Sequence, residues 1–235
     1  MKKCFSHPLF YYSFALLGFG GLGLQFWYLQ GGEDAKGLLT LGHPGQVGAY
    51  LLLALALVLS LISCRQIQSP RIPAKIRSLG TVLAALFFAV AAGSFVREGR
   101  YLLFALSALA LVSTLYILWA HSKSRRPHYL AYGIFVIYFM LYLLSRYQTY
   151  SAEPEISRYV FKILALVSMM MVFYQQTAIR AGVGRFRTYH FWRSMTLFLS
   201  LTAIPSAEVP ALYLATALWL MLDPGPRAAK GSEPQ

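Results

Sequence analysis

The sequence predicts an all-α fold: a polytopic transmembrane helical bundle of about eight spans, with both termini cytoplasmic. Three observations carry that expectation. Eight apolar stretches alternate with short polar loops. Every second loop is basic, and the loops between them hold nearly all the acid. The 235 residues are 57% hydrophobic and only 12% charged, against roughly 25% charged in a soluble domain. A soluble chain of this length has too much surface to hide so much apolar area. Hydrocarbon is the solvent that accepts it.

The spans are expected at 8–29, 46–64, 79–96, 101–120, 129–148, 157–179, 189–204 and 208–222. Most approach the roughly 20 residues, at 1.5 Å rise, that cross a bilayer core. The first follows Lys2 and Lys3 and is too long for the apolar part of a signal peptide. It is therefore expected to stay as an uncleaved span. Its Gly18, Gly20, Gly21 and Gly23 admit two readings, close packing with a neighbouring helix or a broken helix that exposes backbone to a substrate. A nucleotide loop is excluded, because no strand precedes the glycines.

The loop 65–78, with Pro70, Pro73 and four bases, forms a cytoplasmic connector. In the third span Ala85, Ala89 and Gly93 recur every four residues, which lets another backbone come close. Arg97-Glu98-Gly99-Arg100 is a tight outer turn joining spans three and four. Spans seven and eight are short, with Pro205 and Pro210 bracketing a turn that holds Glu208. Two true spans are favoured over a re-entrant hairpin, which would bury a carboxylate in hydrocarbon. Residues 1–223 thus form one transmembrane domain, and 224–235 form a disordered cytoplasmic tail.

Charge sets the orientation. One set of ends and loops carries fourteen Lys and Arg but only Asp223 and Glu233 as acids; the other carries five bases and six acids. Short basic loops stay in the cytoplasm. The net charge of +13 is then directed at the anionic headgroups of the cytoplasmic leaflet of the cell membrane, so no nucleic acid is expected as partner. Cys4 and Cys64 fall at the reducing face, so no disulfide is expected.

The best candidate site lies in the outer halves of spans five and six. Tyr138, Tyr142 and Arg146 are spaced i, i+4, i+8 and share one helix face. Span six opens with Arg158, and Lys162 sits one turn deeper among apolar residues. A cation inside a span is unfavourable by about 3 kcal/mol unless it reaches the interface or finds a partner. One reading is an outward ligand pocket for an anionic group, with charge from Arg146, Lys162 and Arg158 and hydroxyls from Tyr138 and Tyr142. The other has Lys162 reaching the headgroups, the tyrosines anchoring the interface, and Glu153 or Glu155 neutralising the cations.

Arg193, near the cytoplasmic end of its span, is expected to snorkel. Gln175, Gln176, Thr196 and Ser200 are expected to bond between helices. His7, His121, His128 and His190 lie at the cytoplasmic boundary without the spacing of a metal site, and His43 stands alone. His-Glu-x-x-His, Gly-x-Ser-x-Gly and P-loop motifs are missing, as is an intramembrane Asp pair. Neither enzymatic activity nor a cofactor is expected. Without a carboxylate at mid-bilayer, proton-coupled transport is disfavoured.

Residues Tyr142 to Tyr147, the loop near Pro154, Arg158-Tyr159, Phe173-Tyr174 and Gly182-x-Gly184-Arg185 resemble a loose group of uncharacterised multi-pass bacterial membrane proteins. The resemblance covers about half of the chain, mainly 138–187, and implies a multi-pass helical fold but no activity. Group members place an acid at the position of Lys162, which would reverse the charge of the pocket. Two functions are compatible with all of this. One is binding or passage of an anionic or amphiphilic small molecule. The other is a non-catalytic membrane subunit that scaffolds or senses for a partner complex.

Overall fold

The computed structural model describes residues 8–32, 42–64, 74–123, 125, 127–152, 156–223 and 225, with side chains at all of these except 8–11, 74, 75, 77, 148–152 and 156–158. The described residues form eight α-helices and no strand: α1 (Pro8–Gly31), α2 (Pro44–Ser63), α3 (Ala74–Arg97), α4 (Tyr101–Ser122), α5 (Tyr129–Ala152), α6 (Ile156–Arg180), α7 (Phe186–Ala203) and α8 (Pro210–Leu222). A one-turn 3₁₀ helix, Ile204–Ser206, follows α7 directly.

Five helices contain stretches long and apolar enough to cross a membrane: Pro44–Ser63, Ser78–Arg97, Tyr101–Ser122, Tyr129–Tyr147 and Tyr159–Arg180. The chain is built as a helical membrane protein. Each expected span corresponds to one helix. The largest shift is at α3, which starts at Ala74 rather than 79. No proline or glycine lies between Ala74 and Leu79, so nothing there breaks the turn before the expected start. The expected disordered tail at 224–235 lies, apart from Gly225, outside the described residues.

α7 organises the bundle. It packs against α1, α2, α6 and α8, and every side chain from Arg193 to Ala203 is buried. That position explains its polarity. A helix shielded from lipid on all sides can carry Ser194, Thr196, Ser200 and Thr202, where a lipid-facing helix could not. The expected interhelical bond from Thr196 is not made. Its hydroxyl donates to Trp192 O of its own helix at 2.7 Å, and Thr202 donates to Phe198 O at 3.0 Å. β-branched hydroxyls in a helix reach the carbonyl one turn back before they reach a neighbour.

Gly18 and Gly21 of α1 serve packing against α7, whereas Gly23 has open space beside it. α1 is continuous, and a Cβ on Gly18 would lie 2.9 Å from Leu201 Cδ1 and 3.2 Å from Phe198 O of α7. The broken-helix reading therefore fails. His43 has a structural role. It is the N-cap of α2, its Nδ1 accepts from Gly45 N at 3.2 Å, and its ring lies 5.2 Å from that of Trp27.

On the other side of α7, α3 packs between α4 and α8, and α5 between α4 and α6. An aromatic spine fills this half. Phe135 stacks on Phe173 at 4.8 Å and meets Trp219 edge-on at 5.1 Å, while Phe88 touches both Phe135 and Tyr138. Such pairs add about 1 kcal/mol each beyond the area they bury. Arg180 closes one end of the spine, its guanidinium 4.4 Å from the Tyr132 ring and donating to the Tyr132 hydroxyl at 3.0 Å.

Two ends of the bundle can be told apart. At one, called here the basic end, lie Lys123, Arg125, Arg180, Arg185 and Arg187. At the other lie the turns holding Glu98 and Glu208. The α7–α8 hairpin reaches both, because Glu208 meets α5 at the far end and Leu222 lies against Gly80 at the start of α3.

Candidate functional site

The far end assembles a charge cluster from four separate elements. Gly99, with φ of 69°, ends α3 in the left-handed conformation that glycine adopts without strain. Arg100 N then donates back to Phe95 O at 3.0 Å, so the turn closes tightly. Glu98 and Arg100, on either side of that glycine, pair at 3.3 Å. The second acid comes from the irregular stretch between the 3₁₀ turn and α8, where Pro210 starts a new helix and leaves Glu208 on the connector.

Arg146 joins these two turns. Its guanidinium is 3.1 Å from Glu98 Oε2 and 2.7 Å from Glu208 Oε2. Lys162 approaches the same carboxylate from α6, with Nζ 3.7 Å from Glu208 Oε1. The two cations are 5% and 3% exposed, whereas the Glu98 and Glu208 side chains are 36% and 30% exposed. The acids thus form the rim and the cations the floor. Aromatic faces complete the floor, with Arg146 5.6 Å from the Tyr142 ring and Lys162 4.2 Å from that of Tyr159. A cation over a ring gains about 1 kcal/mol, more where water is excluded.

Tyr138, Tyr142 and Arg146 do share one face of α5, as their spacing requires. That face is buried against α3 and α4. Tyr142 packs on Phe95, and the Tyr138 hydroxyl lies 3.3 Å from Ser107 Oγ. Arg146 reaches the charge cluster together with Lys162, and Tyr142 borders it through its ring under Arg146; Tyr138 bonds to Ser107 instead. Arg158 belongs to α6, but its side chain lies outside the described residues, as do Glu153 and Glu155. Lys162 is too buried to reach headgroups as a snorkelling side chain. Its answering charge is Glu208, forty-six positions further along the chain.

Arg193 departs furthest from expectation. It does not snorkel; it is fully buried, and its guanidinium donates to Leu220 O and Asp223 O, both at 2.8 Å. Those carbonyls end α8 and have no intrahelical donor. Asp223 accepts from Gly225 N at 3.1 Å and from Trp219 Nε1 at 3.3 Å, which turns the chain away from the helix. The signal for this was present in the sequence: a lone Arg one helix away from a helix end, on the least apolar span.

No protein-family model, curated protein or solved structure matches the chain. Among the described residues, no group of three or more His, Cys, Asp or Glu side chains gathers as a metal site would require.

Proposed function

We propose that this chain is a non-catalytic, multi-pass membrane protein that scaffolds or senses for a partner complex, with eight spans and both termini on the cytoplasmic side of the cell membrane. One observation carries the choice. Both buried cations of the candidate site are answered from within the chain, by Glu98 and Glu208. Ion pairs arranged this way hold the α3–α4 turn, α5, α6 and the α7–α8 turn in register. The lipid-facing side of α3 adds support. Of the Ala85-Ala89-Gly93 row, Ala85 is buried, while Ala89 and Gly93 point outward with Leu86 and Val90, and nothing stands within 4 Å of a Cβ placed on Gly93. Small residues exposed in this way suit a closely approaching helix. Kinship with the loose bacterial group named above belongs to the same proposal.

Purification in mild detergent tests it. A protein that co-purifies at fixed stoichiometry, and that is lost from Gly93→Leu while the melting temperature of the chain is unchanged, supports the subunit reading. A monomer carrying a bound small molecule contradicts it.

One feature favours a second reading, the anion site. Glu208 sits on an irregular connector and is the more exposed partner, so an incoming carboxylate or phosphate group has a route to replace it between Arg146 and Lys162. Glu208→Gln would then raise the affinity for a small anion, read as an anion-dependent rise in melting temperature. No such rise in either protein sinks this alternative.

A further inference from the structure

At the basic end a cleft of about 230 Å³ opens between the last turn of α2 and the first turn of α7, lined by Leu61, Cys64, Arg187, Thr188 and Phe191. Its walls, Leu61 and Phe191, are apolar, so water in it would lack the two to four polar partners that hold an ordered molecule. Its rim is charged. Arg187 is exposed there, Arg185 is exposed two residues away, and Thr188 supplies a hydroxyl. Among the described residues, Asp223 is the acid of this end, and it accepts from Trp219 Nε1 and the backbone of Gly225. The Cys64 thiol donates to Leu61 O at 3.0 Å and so stays folded along the α2 side of the cleft. Among the described residues no acid pairs with Arg187, and an apolar cleft beneath an exposed cation complements one class of amphiphile.

We infer that this cleft is a specific site for an anionic phospholipid, with an acyl chain against Leu61 and Phe191 and the phosphate against Arg187 and Thr188. A general attraction of basic loops to an acidic leaflet spreads over all of them and prefers no residue. A built site does prefer one. The cleft places apolar and cationic side chains side by side, and a lipid there links α2 to α7, the central helix. The inference does not rest on the proposed subunit role, since it concerns the opposite end of the bundle.

The test uses the full chain in nanodiscs of phosphatidylcholine alone or with phosphatidylglycerol, followed by native mass spectrometry of the released protein. The wild type retains phosphatidylglycerol in preference to phosphatidylcholine. Arg187→Ala lowers that preference about fivefold, the equivalent of about 1 kcal/mol for one cation at an acidic surface, and Arg185→Ala leaves most of it. Leu61→Trp keeps the charge but fills the slot, and abolishes retention. In a Cys4→Ser background, alkylation of Cys64 by a maleimide slows when phosphatidylglycerol is present. Equal retention of the two lipids, equal losses from Arg185→Ala and Arg187→Ala, or alkylation rates that do not depend on the lipid would overturn the assignment.

Discussion

Arg146 decides how the far end of the bundle is held. Among the described residues it bridges both acidic turns, at 3.1 Å to Glu98 and 2.7 Å to Glu208. Its removal leaves Lys162 with Glu208 and leaves Glu98 with Arg100 only. Breaking a fully buried pair costs about 3–5 kcal/mol, but both acids here are about a third exposed and solvent screens them. Arg146→Ala is therefore expected to destabilise by about 2 kcal/mol, measured by unfolding in detergent micelles. A double-mutant cycle with Glu208→Gln should return a coupling of about 1–2 kcal/mol; a coupling near zero would mean that the pair contributes nothing to holding the turns. At the opposite end, Arg193→Met takes two charged donors from the α8 carbonyls. The expected loss is about 3 kcal/mol, with faster amide exchange confined to the last turn of α8, near Trp219 to Asp223. Arg193→Lys should recover only part of it, because an ammonium lacks the planar fork that serves two carbonyls from one position.

At the scale of elements, the helices were legible in the sequence and their partners were not. Length, apolar run and flanking proline locate all eight to within a few residues, because each is a local property of the chain. Spacing likewise put Tyr138, Tyr142 and Arg146 on one face. What faces that surface depends on helix order in the bundle, and the pattern of one helix carries no information on it. Glu153 and Glu155 are the acids nearest in sequence to Lys162, yet the acid that meets it is Glu208, delivered by a different hairpin. Arg193 misled for the same reason: snorkelling assumes a route to the interface, and the central position of α7 removes it. Glycine shows the converse. Gly18 allows α1 to approach α7 so closely that a larger residue must displace Leu201 or the backbone at Phe198. Gly18→Leu should cost about 2 kcal/mol by overpacking, measured as a fall in melting temperature. Gly23→Leu, with nothing within 4 Å of its Cβ, should leave the melting temperature unchanged.

For the whole molecule, two chemically distinct ends follow from one arrangement. Five helices with membrane-crossing length and composition separate a basic end from an end at which acids cap cations. The hydrophobic effect selects helices that bury their own backbone groups, and charge then selects which end stays in the cytoplasm. In the orientation proposed above, the acid-capped end faces outward and the basic end meets the anionic leaflet. The most direct measurement is a set of reporter fusions along the chain, read in living cells. Fusions near positions 70, 124 and 183 should all report the cytoplasm, and fusions near 99 and 208 should report the outside. Opposite locations for the fusions near 70 and 124 would contradict the orientation and, with it, the separation of the two ends.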